Sequence, residues 1–204
     1  MLRLKNLLSH LADCKSPNPA KLLSKLLLLL SLSNWALAFA QSPTLVRVVA
    51  DNNYPPFLYI DEQGQAIGYI ADWWELWSNK TGIKVDLQTP SWAESQRRLL
   101  AGEADVIDLI FRTQQREPKY DFTPPHTRVP VSIYKHHTLS GIKTVDSLRG
   151  FLIGIMSGDA CIDTLRLEDI QNFKEYPSYA DVITGAIKQD VKLFCMDDYP
   201  ANFY

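Results

Sequence analysis

The sequence predicts an α/β protein built in two units, and three observations lead there. From Val46 to Phe111, strand-period and helix-period segments alternate as strand, helix, strand, helix, strand, the order of a largely parallel sheet. Near Thr127–Pro130 the pattern changes, and a second set of strands and helices runs from Val131 to Met196. Ahead of both units, the first forty residues have a composition of their own.

That leader begins with Arg3, Lys5, Lys15, Lys21 and Lys25, continues into an apolar run from Leu26 to Leu37, and ends in Ala38-Phe39-Ala40 before Gln41. A basic front, an apolar middle and a small-x-small end are the layout of a secretory signal. The apolar run is shorter than the roughly 20 residues a membrane-spanning helix needs; an uncleaved anchor is the alternative. Residues 1–40 are therefore read as a signal peptide and the mature chain as periplasmic. The leader holds five of the 21 basic and one of the 23 acidic side chains, so residues 41–204 carry 16 against 22, a net of −6. Such a balance argues against nucleic acid and anionic membrane as partners of the mature chain, while one or two placed arginines can still hold a small anion. Cys14 leaves with the leader, and Cys161 and Cys195 remain. In an oxidising compartment two cysteines suggest one disulfide, with two buried thiols as the alternative. No cysteine–histidine spacing suits a metal, and no cofactor is expected.

In the first unit, Val46 and Val48 alternate with Arg47 as a half-buried strand. The strand breaks at Asp51-Asn52-Asn53, and Pro55-Pro56 permits neither helix nor ladder. Asp51, Tyr54 and Phe57 thus sit on a stiff loop past the C-terminal end of a strand, where open α/β sheets bind small ligands; an ordinary corner plugged by aromatics is the alternative. Asp61–Gly64 reads as a turn between two short strands. Ile70–Lys80 reads as a helix packed through Trp73 or Trp74 and Trp77, with Gly82 as its left-handed cap. Ile83, Val85 and Leu87 mark a half-buried strand, and Ser91-x-x-Glu94 a capping box opening a helix to Gly102. The apolar run 105–111 is expected to be a strand buried on both faces. In the second unit, Val131–Lys135 is a strand, Ser147–Gly150 a helical turn and Leu152–Met156 a strand. A helix runs from the Ser157–Cys161 segment through Leu167, Ser178-x-x-Asp181 caps another to about Gln189, and Val191–Met196 is the last strand. No covering helix is expected after it.

Several of these segments together resemble a known family. They are Val46 to Phe57, Gly68-Tyr69-Ile70-Ala71-Asp72, Trp92, Leu99-x-x-Gly102-Glu103-Ala104-Asp105-Val106-Ile107, Thr113-x-x-Arg116, and Ser147-Leu148-Arg149-Gly150 before Ile153-Gly154-Ile155. In this order they are similar to the bacterial extracellular solute-binding proteins, family 3, of the amino-acid-binding type, over about residues 44–204. Gly158-Asp159-Ala160-Cys161 and Phe194-Cys195-Met196-Asp197 resemble in particular the periplasmic sensor modules of membrane-bound diguanylate cyclases and phosphodiesterases. The resemblance implies a two-lobed, type II periplasmic-binding-protein-like fold, with lobe 1 over 41–130 and lobe 2 over 131–204. The family's remaining strand and helices do not follow, so the chain is expected to be C-terminally incomplete.

The resemblance also implies a site. Arg116 matches the arginine that clamps a ligand carboxylate, a task that suits a planar fork of donors; pairing with Glu117 or Asp121 is the alternative. Asp197 matches the acceptor for a ligand ammonium, with Asp198 competing for the role. Asp51, Tyr54 and Trp92 match positions lining the ligand's side chain. Arg112 is either a second anion contact or solvent-facing. Asp159 falls at a helix start where the family uses backbone N–H groups for a carboxylate; there it is a good N-cap but repels an anion. Cys161 and Cys195 match neighbouring positions, implying a disulfide. The implied function is capture of a small amino-acid-like or organic-acid ligand, with an ABC-type transporter permease or a membrane signalling domain as partner. The alternative from another class is a periplasmic enzyme resembling the cyclic dienyl acid dehydratases on the same fold, although no nucleophile–base or carboxylate pair stands at catalytic spacing.

Overall fold

A computed structural model of the chain describes residues 44–204; the signal peptide expected over 1–40 lies outside the described residues. In order, the elements are β1 (Leu45–Val49), β2 (Asn53–Tyr54), β3 (Leu58–Ile60), β4 (Ala66–Ile67), α1 (Tyr69–Thr81), β5 (Lys84–Gln88), α2 (Trp92–Leu100) and β6 (Val106–Ile107). There follow β7 (Val131–Lys135), a 3-10 turn (Val145–Leu148), β8 (Ile153–Met156), α3 (Ala160–Leu167), β9 (Phe173–Tyr176), α4 (Tyr179–Ile187), β10 (Leu193–Asp197) and α5 (Asp198–Phe203).

The N-terminal half holds the expected parallel sheet, ordered β5-β1-β6, beside a small antiparallel meander, β2-β3-β4. Both Val48 and Val49 are fully buried, so the far end of β1 is covered on both faces rather than half-exposed. The helix α1 turns Trp74 and Trp77 toward its neighbours, leaves Trp73 on the outside, and ends on Gly82 in the left-handed region. The C-terminal half is a four-stranded sheet, β7-β10-β8-β9, parallel except where β7 runs against β10. On one of its faces, Ile153, Ile155, Leu193 and Cys195 pack with Cys161, Ile162 and Leu165 of α3. The Cys161–Cys195 disulfide ties that helix to the central strand β10. Elsewhere on the sheet, Met156, Tyr176 and Met196 pack with Tyr179 and Val182 of α4.

Four local expectations are corrected. The strand expected over 105–111 is only two residues long, because Asp108 accepts the N–H of Leu109 at 2.7 Å and Leu109 turns into the left-handed region, φ 57°. The capping box at Ser91 does not form; Glu94 instead accepts from Arg97 and Arg98 on its own helix. A strand, β9, fills the segment between α3 and α4, for which no element was expected, held by its neighbour β8. A short helix, α5, does follow the last strand. Among the described residues, no helix is long and apolar enough to cross a membrane.

Candidate functional site

Parallel strands deliver their C-terminal ends, and the helices that follow them deliver their N-termini, to a common edge of the sheet. Asp51 leaves β1 there, Trp92 opens α2, and Asp108 follows β6. From the other half, Met156 ends β8, Asp159 is the N-cap of α3, Tyr179 opens α4 and Asp197 ends β10. These residues, with Tyr54, Leu109, Phe111, Arg116 and Ala160, line one cavity with about 350 Å³ of empty space, including the part open to solvent.

The electrostatics of this cavity are unusual for a protein interior. The buried charged side chains among the described residues are Asp51 (7% exposed), Asp108 (7%), Asp159 (7%), Asp197 (2%) and Arg116 (5%), and all five line it. Four carboxyl groups thus face one guanidinium. Isolated charges are rarely buried without partners, and most of these have them. Asp108 accepts Trp74 Nε1 at 2.7 Å as well as the Leu109 N–H. Asp159 accepts the Cys161 N–H at 2.7 Å and the Tyr179 hydroxyl at 2.6 Å. Asp197 accepts the Tyr54 hydroxyl at 2.5 Å. Asp51 accepts the Asn53 N–H through Oδ1 at 3.1 Å, while its Oδ2 is buried without a partner.

Burial pushes Asp51 up to about 7, aided by the charge of Asp159 and opposed by the N–H groups of Asn53, Asn52 and Trp92. Burial likewise raises Asp197 to about 7, with Asp159 adding to the rise and the Tyr54 and Tyr179 hydroxyls opposing it. Asp159 is raised by burial against the pull of the Cys161 N–H, Tyr179 and Arg116. Such groups are poised to accept a cation, because a positive partner favours their ionised form.

Arg116 donates through Nη1 to the Phe111 carbonyl at 2.9 Å and through Nη2 to the Gly158 carbonyl at 2.8 Å, and its guanidinium carbon lies 5.6 Å from the Trp92 ring centre. The Gly158 carbonyl, in the C-terminal half, also accepts Trp92 Nε1 at 2.9 Å and Gln96 Nε2 at 3.3 Å. Thr113 reaches Asp163 at 2.9 Å, and the Ala180 N–H donates to Asn53 at 3.0 Å. The two halves are therefore joined by polar contacts around the cavity rim.

Six of the seven residues singled out in the sequence meet here: Asp51, Tyr54, Trp92, Arg116, Asp159 and Asp197. Arg112 does not. Its side chain is 67% exposed, paired with Glu117 at 2.8 Å and set over Phe122 at 5.8 Å, because the chain reverses between it and Arg116. Glu117 is thus taken, and Arg116 faces the cavity instead. Asp198 accepts from Tyr134 at 3.1 Å and is not part of the lining. Sequence reasoning missed Tyr179, Met156 and the Asp108–Phe111 turn. Only the Ser178 cap beside Tyr179 marked a helix start, and nothing separated that tyrosine from a core residue.

The fold is that of the two-lobed α/β proteins of the periplasmic-binding-protein type. The family model for "Bacterial extracellular solute-binding proteins, family 3" matches residues 46–190, and the chain belongs to that family. Among curated relatives, the L-cystine-binding protein TcyJ of Escherichia coli (strain K12) is 26% identical over 144 residues, covering 67% of this chain and 54% of that protein. The chain thus spans about half the length of the curated relatives it matches. An ancestral arginine-binding protein bound to glutamine superposes with a TM-score of 0.70 at 21% identity, over 80% of this chain and 74% of that one. A histidine kinase sensor domain with similarity to periplasmic binding proteins superposes with a TM-score of 0.74 at 23% identity, over 79% and 71%.

Proposed function

We propose that the chain, exported and freed of residues 1–40, captures a small amine-bearing, amino-acid-like ligand in this cavity and passes the occupied state to a membrane partner for uptake or signalling. Arg116 holds the carboxylate end through the N–H groups it has not already committed, and Asp197 receives the ammonium. Asp159 supports the ammonium side, and Tyr54 and Trp92 enclose the body of the ligand. One observation carries this reading: all the buried charged side chains of the described residues, drawn from both halves of the chain, line one cavity. An organic acid without an amine suits that space poorly, since four carboxyl groups there meet a single guanidinium.

Thermal-shift and calorimetric titration against a panel of amino acids, amines and organic acids tests the proposal. An amine-bearing compound raises the melting temperature, and Arg116→Ala and Asp197→Asn each weaken its binding about tenfold or more, as expected for a hydrogen bond to a charged group. No response to any amine-bearing compound, or an undiminished response in both variants, overturns it.

A further inference from the structure

We propose that the Cys161–Cys195 disulfide is a positioning bond of the ligand site: it holds Asp159 and Asp197 at the spacing that receives the ligand ammonium, so that breaking it weakens binding in a protein that is still folded. This rests on the reading above and adds to it how the affinity of the site is set.

The two acids leave the sheet on neighbouring strands that part before reaching them. The parallel ladder of β8 and β10 runs over Ile153–Leu193 and Gly154–Phe194 and goes no further. Beyond it, β10 stays paired with β7 as far as Asp197, and β8 with β9 as far as Met156. No ladder bond therefore fixes the end of β10, which carries Asp197, against the chain that leaves β8 for Asp159. The disulfide closes that gap. Cys161 lies two residues after Asp159 and Cys195 two residues before Asp197, with their Cα atoms 6.5 Å apart. The Cys161 N–H also donates to Asp159 Oδ1 at 2.7 Å, so the residue bonded to β10 is the one that orients this carboxyl group.

Apolar packing of Ile162 and Leu165 keeps α3 on the sheet, but such packing is non-directional. A binding constellation needs its groups placed within about 0.5 Å. The carbonyl of Gly158, one residue before Asp159, accepts from Trp92, Gln96 and Arg116 of the other half. A drift of the α3 start thus moves Asp159 relative to Asp197 and disturbs the donor that Arg116 spends there.

The bond has a competing role, since a disulfide stabilises a fold through the unfolded chain alone. That role lowers the melting temperature without changing affinity or its pH profile. Three forms separate the two: oxidised wild type, the Cys161→Ala, Cys195→Ala variant, and reduced wild type. Both sulfurs are buried, so the reduced form is made by refolding from urea with dithiothreitol. The reagent gives two electrons and two protons to the bond, leaving two protein thiols and closing to its own cyclic disulfide. Oxidised glutathione reverses the step, taking up the same electrons and protons as two reduced glutathione molecules. Affinities for each standard amino acid other than cysteine are measured by calorimetry across pH, well below the melting temperature of each form.

The tightest-binding amino acid is expected to bind the variant and the reduced protein about tenfold more weakly, as for one hydrogen bond to a charged group, with reoxidation restoring the affinity. The pH of half-maximal affinity is expected to move down as well. Asp197 faces Tyr54, Tyr179, Asp159 and Asp198, and moving Asp159 away removes a charge that raises it. Unchanged affinity, or a loss of affinity with no shift in the pH profile, assigns the bond to stability alone and overturns the inference while the amine-binding reading survives. Failure of both the variant and the reduced protein to fold overturns it in the same way. Binding of none of the amino acids by the oxidised wild type overturns both readings.

Discussion

Asp51 and Asp197 sit at the same pH threshold for the same physical reason, and that makes the protein's response to pH a test of the site. Each is held near 7 by burial, against about 3.9 in an unfolded chain. Between those values the native state binds more protons than the unfolded state, so stability falls as pH rises. The contribution is fully present at about pH 4 and lost as pH passes through about 7. Asp51 faces Asp159 and the N–H groups of Asn52, Asn53 and Trp92; Asp197 faces Tyr54, Tyr179, Asp159 and Asp198. Unliganded protein is thus expected to melt at a higher temperature at pH 5 than at pH 8, with the difference shrinking in an Asp51→Asn, Asp197→Asn double variant. A cationic ligand reverses the trend, since it binds the ionised form, and its dissociation constant should fall between pH 6 and pH 8. The surface acids Glu94 and Asp105, held down to about 2 by hydrogen bonds from Arg97 and Arg98 and from Arg47, act only below this window.

At the scale of elements, α4 depends on the absence of a side chain. A methyl group at Gly185 meets the Tyr176 ring carbons at 2.5 and 2.7 Å and collides with the Tyr176 hydroxyl oxygen. Alanine in place of a helical glycine is worth up to about 1 kcal/mol from propensity alone. Overpacking of about 1–3 kcal/mol opposes it, and here the clash wins because Tyr176 is buried in the strand the helix covers. Gly185→Ala is expected to lower stability by about 1–2 kcal/mol in urea denaturation, and Tyr176→Phe, which also removes an unpartnered buried hydroxyl, to relieve part of that loss. The disulfide acts on a longer element pair. Cys161 and Cys195 are 34 residues apart and close a loop containing β9 and α4. Replacing both by alanine is expected to cost about 2–4 kcal/mol, mostly by freeing the unfolded chain, measured as a shift of the urea midpoint without reducing agent.

At the scale of the molecule, the Gly158 carbonyl is a point where the halves meet, accepting from Trp92, Gln96 and Arg116. Gly158 has a φ of 75°, and a methyl group there lies 2.7 Å from Gln96 Nε2. The amide of Gln96 can move aside, but the left-handed backbone still costs an L-residue roughly 1–2 kcal/mol. Gly158→Ala is therefore expected to weaken ligand binding more than it lowers the urea midpoint, because the carbonyl it misplaces joins the halves rather than filling a core. Equal effects on binding and on stability would make Gly158 an ordinary turn residue.

By itself the sequence determined the α/β order, the parallel strand set β1, β5 and β6, the Gly82 and Ser178 helix boundaries and six of the cavity residues, since local period, caps and one resemblance carry that information. It also carried the pairing of Cys161 with Cys195 through that resemblance. Only the tertiary structure decided matters that depend on neighbours distant in sequence. β9 forms because β8 offers it a ladder, and Arg112 and Arg116 part company because the chain reverses between them. Tyr179 enters the site because α4 starts opposite Asp159. The count of buried acids against one guanidinium became legible only once folding had removed Asp51, Asp108, Asp159 and Asp197 from water, for burial is a property of the whole chain and not of any stretch of it.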